Sequence, residues 1–382
     1  MKLYRLPLIS NCTDLRGKKV IVRAALDVPL NDEGDVVNYF RIMRAMPTLV
    51  HLRHFGAKII ILTHIGRDPK TSLEPLYRIL RDHLPCTFVP NVIGGEVERS
   101  IGALGEGEAV LLENVRSHEG EVLGDEMLAK KLASYADIYV NDAFSVSHRE
   151  HASIVGIPKY LPSYVGLTFY EEYMRLFKTI TPELPALFLL GGAKFDTKLS
   201  LVEKYLETYN NVYVGGALAN DFFKAMGYEV GHSVVSDSLK KDDAILTHKK
   251  ILLPVDVTVD GPDGVRTAAP KDVTPEERIL DAGPETVRML GGYIEKAKTI
   301  LWNGPLGYYE EGYVDATKEC AKLIAAGRAY SVVGGGDTIA SIESLAINDQ
   351  FSFISTAGGA MLRFLEDGTL PGIDAVMKSS RS

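Results

Sequence analysis

Short apolar runs separated by longer stretches of helical period recur along the whole chain, and this alternation constrains the fold more than any other feature. In the first half the runs are Lys19–Val22, Lys58–Leu62, Thr87–Val89, Ala109–Leu112 and Ile138–Val140. In the second half they are Ala186–Leu190, Asn211–Val214, Ile251–Leu253, Thr299–Trp302, Ser331–Val333 and Phe351–Ile354. Amphipathic helices are predicted between them over Arg41–Phe55, Ser72–His83, Lys198–Tyr209, Thr286–Ala297 and Thr317–Ala326. Strands that are apolar throughout and alternate with helices imply β-α-β units and parallel sheets. Eleven candidate strands are many for one sheet, and Pro158–Pro162 offers a break after which Ser163–Lys178 reads as one long amphipathic helix. The expected fold is therefore α/β: two doubly wound, Rossmann-like parallel-sheet domains, 1–165 and 180–365, joined by a long helix at 166–179 across a cleft. A Pro-marked tail, 366–382, follows.

A length of 382 residues accommodates two such cores. Forty-two Lys and Arg against 50 Asp and Glu leave a formal charge of −8, which disfavours a nucleic-acid surface and requires any anion site to come from local clustering. The three cysteines lie far apart, without a C-x-x-C, as expected for a reduced cytoplasmic protein. No apolar run approaches the roughly 18 residues a membrane span needs, so no membrane partner is expected.

In open parallel sheets ligands sit beyond the carboxyl ends of the strands, and there the two halves differ. The first half places cations at those ends: Arg23, then His64 and Arg67, then Arg116, then His148, Arg149 and His151. Guanidinium forks match carboxylate and phosphate oxygens, so this edge suits a small, multiply anionic ligand. His148 and His151 have no third ligand type beside them to make a metal site, and the histidines are expected to stay partly protonated beside a phosphate. The second half places glycines there: Gly191-Gly192, Gly215-Gly216, Gly334-Gly335-Gly336 and Gly358-Gly359. Bare backbone donors and small residues suit a nucleotide. Lys194 or Lys198 can reach a terminal phosphate, Asp337 can hold Mg²⁺, Thr338 can cap a helix or bond phosphate, and Glu310, after Trp302-Asn303, can bond ribose. No G-x-x-x-x-G-K-[ST], G-x-G-x-x-G or H-R-D motif is present, against P-loop ATPases, dinucleotide enzymes and protein kinases. One cationic and one glycine-lined edge imply phosphoryl transfer between a nucleotide and a small anionic acceptor, a reaction that needs positioning and charge neutralisation more than a nucleophile.

Several stretches resemble phosphoglycerate kinases: Thr63-His-Ile-Gly-Arg67, Leu111-Leu-Glu-Asn-Val-Arg116, Val140-Asn-Asp-Ala-Phe144 with His148-Arg149 and His151-Ala-Ser153, Leu190-Gly-Gly-Ala-Lys194, Trp302-Asn-Gly-Pro305 and Val333-Gly-Gly-Gly-Asp337. They run in order over nearly the whole chain. The resemblance implies reversible phosphoryl transfer between ATP and 3-phosphoglycerate, with Mg²⁺, in a monomer whose tail returns to the N-terminal domain. It implies His64, Arg67, Arg116 and Arg149 on the glycerate phosphate, with His151 nearby, and Arg23 and Arg41 at its carboxylate. Arg41, Lys198 and the N–H groups at Gly358-Gly359 would neutralise the moving group. Lys194, Asn303, Gly335, Gly336 and Thr338 would serve the nucleotide, Gly215-Gly216 the adenine slot, Glu310 the ribose and Asp337 the metal. Two departures fall on the glycerate side: Ala25 stands where the family has an Asp that bonds the glycerate hydroxyl, and Asp27 where it has Asn. The added carboxylate is expected to repel an anion unless Arg23 or His64 pairs with it. The alternative these departures raise is a nucleotide-binding family member with weakened or lost glycerate turnover, acting as a regulator or on another small acid.

Overall fold

The computed structural model describes residues 3–192, 198–236, 239–240 and 243–379. Two compact units divide between Met174 and Arg175, and the residues from Asp367 onward belong to the first.

In the first unit the order is β1 (Lys19–Ala24), α1 (Phe40–His54), β2 (Lys58–Leu62), α2 (Glu74–Leu80), β3 (Cys86–Val89), α3 (Gly95–Gly102), β4 (Ala109–Leu112), α4 (Gly120–Leu123), α5 (Glu126–Ala133), β5 (Ile138–Asp142) and β6 (Ser163–Val165). The six strands form one parallel sheet ordered β3-β4-β2-β1-β5-β6. Its inner strands are buried on both faces, which is why they read as unbroken apolar runs rather than alternating ones. On one face Val20, Val22, Ile59, Ile61 and Leu111 pack with Ile42 and Leu49 of α1.

α6 (Leu167–Ile180) contains the division between the units. It is shorter than the helix expected over Ser163–Lys178, because Ser163–Val165 is an edge strand paired with β5. Gly166 separates the two: a Cβ there would lie 2.2 Å from the Asp142 carboxylate. That carboxylate in turn accepts the Phe169 N–H at 2.8 Å and satisfies the start of α6.

The second unit continues with β7 (Ala186–Leu190), α7 (Leu199–Thr208), β8 (Asn211–Val214), α8 (Ala217–Ala225), β9 (Ile251–Leu252), β10 (Val257–Gly261), β11 (Gly264–Ala268), β12 (Arg278–Ala282), α9 (Pro284–Lys296), β13 (Thr299–Asn303), α10 (Asp315–Ala325), β14 (Tyr330–Gly334), α11 (Gly336–Glu343), β15 (Phe353–Ser355) and α12 (Gly359–Asp367). Six of these strands make a second parallel sheet, β15-β14-β13-β7-β8-β9. Leu187, Leu189, Ile300, Trp302 and Val333 pack there with Leu290 of α9 and Cys320 and Ile324 of α10.

A separate antiparallel sheet, β11-β10-β12, is absent from the run-based expectation. Its hairpin alternates apolar and polar residues along Val257-Thr-Val-Asp and turns at Pro262-Asp263, a period-two signal hidden from a search for continuous apolar runs. α13 (Pro371–Ser379) closes the chain on the first unit, where the Gly372 N–H donates to the Ser147 carbonyl at 2.9 Å and Ile373 and Val376 are buried.

Burial pushes the Asp142 carboxyl up to about 7, against hydrogen bonds from Thr48 and the Phe169 and Thr168 backbones that pull it down. Between its ordinary value near 3.8 and about 7 the folded chain therefore holds a proton that the unfolded chain has released. This contribution to stability is full below that window and is lost as pH rises through it. Asp142→Asn is expected to flatten the decline in urea-unfolding stability of the first unit between pH 4 and 7, while leaving any decline due to Asp281, also raised to about 7 by burial, in the second unit.

Candidate active site

The row Leu62–Arg23–Asn141 runs across β2, β1 and β5 near their carboxyl ends, so the loops that follow these strands are neighbours. Arg23 is completely buried. Its Nε donates to Ser153 Oγ at 2.9 Å and its Nη1 to the Ala24 carbonyl at 2.9 Å, and its Nη2 lies 3.0 Å from His64 Nδ1. Burial lowers its pKa, and the charges of Glu121, Tyr139 and Asp27 oppose that shift.

His64 is held neutral, first by burial and then by Arg23 and Arg116, so the partly protonated imidazole expected from sequence is corrected for the ligand-free site. With Nδ1 accepting from Arg23, Nε2 carries the proton and faces the site as a donor.

Asp27 is tied from several sides. Its Oδ1 accepts the Gly66 N–H at 2.8 Å, its Oδ2 lies 3.7 Å from Arg41 Nη1 and 3.6 Å from His64 Nε2, and its carbonyl accepts from Arg41 Nη1 at 2.9 Å. Arg41, rather than Arg23, is its ion-pair partner, and neutral His64 supplies no counter-charge. Ala25 is half-buried and brings no hydrogen-bonding side chain.

Arg116 donates to the Gly66 carbonyl at 2.5 Å. Its loop is fixed by Asn114, whose Oδ1 accepts the Arg116 N–H and whose Nδ2 reaches the Thr71 carbonyl at 2.9 Å. Arg67 and Arg149 are exposed, and their side chains make no hydrogen bond or ion pair among the described residues. Arg116 has its pKa lowered by burial and by the like charges of Arg23 and Arg149, despite Asp27 and Glu121. His151 is buried, its Nδ1 3.6 Å from Glu121 Oε1. The sequence does not single out Glu121, because it lies on α4, beyond the residues that directly follow β4, and no motif marks it.

In the second unit Val214, Leu190, Asn303 and Gly334 pair in one row across β8, β7, β13 and β14. A glycine follows each of them, at Gly215, Gly191, Gly304 and Gly335. The crowding is backbone against backbone: a Cβ on Gly304 would lie 2.3 Å from the Gly191 carbonyl, and one on Gly216 would lie 2.7 Å from the Gly192 nitrogen. Gly216 (φ +59°) and Gly335 (φ +101°) also hold conformations that L side chains rarely adopt, just before α8 and α11. Gly336 opens α11, so its N–H and those following point out of the helix start.

A cavity of about 300 Å³ adjoins this row, lined by Gly216, Phe223, Val257, Pro305, Glu310 and Asp337 among others. Apolar walls with carboxylates at one side fit a base-and-ribose ligand. Asp337, exposed on the first turn of α11, has its pKa raised by burial and by Glu310. Among the described residues no group of three or more His, Cys, Asp and Glu forms a cage, and a single carboxylate beside a phosphate cradle fits a cation held chiefly by nucleotide oxygens.

The remaining sequence-predicted residues are more varied. Lys198 Nζ donates to the Gly191 carbonyl at 2.9 Å. Thr338 is buried and its Oγ1 finds no partner, whereas Asn303 is buried with Nδ2 3.8 Å from Met361 Sδ. Gly358 (φ +54°) and Gly359 are exposed at the start of α12, whose first N–H groups lack intrahelical acceptors. Lys194 lies outside the described residues.

Two parallel-sheet α/β units, with an arginine cluster on one and a glycine-walled slot on the other, fit the class of nucleotide-using phosphotransferases. A family model described as phosphoglycerate kinase matches residues 9–368. The phosphoglycerate kinase of Coprothermobacter proteolyticus is 39% identical over 378 residues, covering 94% of this chain and 96% of that one, and that of Dictyoglomus turgidum is 40% identical over 385 residues, covering 94% and 96%. The solved structure of phosphoglycerate kinase from Coxiella burnetii matches with a TM-score of 0.85 at 34% identity, covering 98% of this chain and 100% of that one. The chain belongs to the phosphoglycerate kinase family and is a kinase.

The cation cluster has a ligand-independent consequence. Sulfate or inorganic phosphate is expected to raise the melting temperature more than chloride at equal ionic strength, because a multivalent anion relieves the crowding of Arg23, Arg116 and Arg149. The double variant Arg67→Ala/Arg149→Ala should lose most of that increment in a thermal-shift titration.

Proposed function

We propose that the enzyme transfers a phosphoryl group reversibly between ATP and the carboxylate of 3-phosphoglycerate, giving 1,3-bisphosphoglycerate and ADP. The supporting observation is the set of guanidinium groups at the strand ends: Arg67 and Arg149 unengaged, with Arg116 beside the latter and buried Arg23 behind. Such a set suits a phosphate monoester at one end of an acceptor whose other end must stay reactive. In this reading Arg67, Arg116, Arg149 and His151 attract the glycerate phosphate, neutral His64 donates through Nε2, and Arg23 and Arg41 flank the carboxylate. A carboxylate nucleophile is already deprotonated at neutral pH and needs no general base.

On the nucleotide side, Gly215 and Gly216 wall the adenine slot, Glu310 bonds ribose, and Gly335, Gly336 and Thr338 cradle phosphate, with Asn303 beneath and Lys194 reaching the phosphates. Mg²⁺ would be held by Asp337 together with the nucleotide and would neutralise phosphate charge. Arg41, Lys198 and the N–H groups at Gly358-Gly359 would neutralise the moving group, where fixed positive charge counts most. The domain assignment follows: glycerate on the first unit with the tail, nucleotide on the second. The proposal includes a monomeric working unit and a cytoplasmic setting, the latter supported by three free cysteines and by the absence, among the described residues, of a helix long and apolar enough to cross a membrane.

A second reading, ATP binding without glycerate turnover, is favoured by one observation: Asp27 occupies Arg41 through both its carboxylate and its carbonyl. A coupled assay of ATP-dependent 3-phosphoglycerate phosphorylation separates the two. Turnover that saturates in both substrates supports the kinase, and background rates with intact ATP binding by calorimetry support the second reading.

Arg41→Ala is expected to lower kcat by about 100-fold or more while the Kd for ATP·Mg²⁺ changes less than about twofold, since its charge counts at the transition state. Steady-state kinetics and calorimetry on the same preparation check the split.

A further inference from the structure

Behind the arginine cluster lies a group of completely buried polar side chains that meets no solvent: Arg23, Glu121, Tyr139 and Ser153. Ser153 is the node. Its Oγ donates to Glu121 Oε1 at 2.6 Å, its N–H donates to Glu121 Oε2 at 2.9 Å, and its carbonyl accepts from the Tyr139 hydroxyl at 2.7 Å. The same Oγ accepts from Arg23 Nε at 2.9 Å. A serine hydroxyl has a single proton to give, and here Glu121 takes it, which turns the oxygen lone pairs toward the guanidinium. Glu121 Oε1 also lies 3.6 Å from His151 Nδ1.

We infer that Glu121 is a positioning residue for acceptor binding: through Ser153 it fixes the plane of the Arg23 guanidinium, with the His151 ring nearby, without itself touching a ligand. This inference rests on the proposed acceptor site and adds to it the element that holds that site in shape.

The chemistry requires such a group. A guanidinium removed from water needs both a counter-charge and directed acceptors, or it turns toward whatever acceptor is nearest. Asp27 is half-exposed and engaged with Gly66 and Arg41, so it cannot serve this purpose. Glu121 stays charged even though burial works to raise its pKa, because His151, Arg23 and Ser153 together hold it below the usual carboxylate value. Three of the five Arg23 N–H groups are spent on Ser153, Ala24 and His64. The other two can present to a ligand only while that frame holds.

Glu121 arrives on α4, four residues beyond the turn Val115–Ser117 that carries Arg116. A Cβ on Gly120 would lie 2.8 Å from Asp125 Cβ, so the tight entry to this short helix sets where the carboxylate points. One loop thus brings an arginine to the open side of the site and a carboxylate to its closed side.

The test compares Glu121→Gln, which keeps the shape and removes the charge, with Ser153→Ala, which removes the relay and leaves the charge in place. Both are expected to raise KM for 3-phosphoglycerate about tenfold while KM for ATP stays within about twofold, whereas a merely destabilising change would move both or neither. In the ligand-free chain, the Arg23 Nε–H resonance, assigned by comparison with Arg23→Lys, should exchange with solvent at least about tenfold faster in both variants. An unchanged Arg23 exchange rate, or an equal rise in both KM values, overturns the inference. If Glu121→Gln does not fold, Ser153→Ala decides by the same two readouts. If the wild-type chain does not turn over 3-phosphoglycerate, the proposed reaction fails. The positioning role is then read from Arg23 exchange and from calorimetry with inorganic phosphate, which should bind more weakly to both variants, and equal binding overturns it.

Discussion

Burying an arginine at the end of a central strand is the constraint around which the first unit is arranged. β1 is buried on both faces, so Arg23, its penultimate residue, is shielded from solvent in the ligand-free chain and its charge must be met inside. The loops after β2 and β5 each answer one part of that demand. His64 presents a lone pair and Ser153 presents an oxygen whose own proton is committed to Glu121. These loops are neighbours only because the strands are parallel and adjacent, with Leu62, Arg23 and Asn141 in one row. Topology and electrostatics are therefore the same fact seen at two scales: an antiparallel neighbour would send its loop to the opposite end.

The second unit presents the opposite kind of edge. Four adjacent strands end in one row and a glycine follows each, so the backbones pack where side chains would otherwise intervene. Helix starts at α8 and α11 contribute N–H groups and the positive end of a helix dipole. Such donors carry no net charge and need no counter-ion when the ligand leaves. The arginine edge of the first unit does carry charge, and the raised crowding at Arg116 is its cost in the ligand-free state. A small acid of high charge density suits the first arrangement, and a ligand whose charge travels with a metal suits the second.

Much of this was legible in the sequence because the relevant residues sit next to the runs that define the strands. Thr63-His-Ile-Gly-Arg67 follows β2 directly, and Gly334-Gly335-Gly336 follows the apolar run of β14 directly. What escaped depends on distance in the chain. The neutrality of His64 comes from burial together with Arg23 and Arg116, neither of them local to it in sequence. Glu121 becomes meaningful only when Ser153, thirty-two positions on, is brought to it. β6 was read as helix because Ser163-Tyr-Val165 runs without a break into an amphipathic pattern, and only the closeness of Asp142 to Gly166 explains the boundary. The β10–β11 hairpin escapes for a different reason: its signal has period two, and it holds no continuous apolar run.

Asp27 shows how a departure at one position is absorbed by its surroundings. A carboxylate among arginines would be expected to weaken the field that attracts an anion. Here it accepts the Gly66 N–H, and Gly66 in turn offers its carbonyl to Arg116, so the two backbone groups of one residue link the acid to a cation. Arg41 meets both the carboxylate and the carbonyl of the same residue. The negative charge is thus spread over contacts that also orient α1 and the β2 loop. An asparagine at this position retains a carbonyl oxygen for Gly66 but gives up the ion pair with Arg41, while the backbone carbonyl at position 27 still accepts from that guanidinium. The charge at position 27 therefore acts chiefly on how firmly Arg41 is held, and only secondarily on the net field at the acceptor.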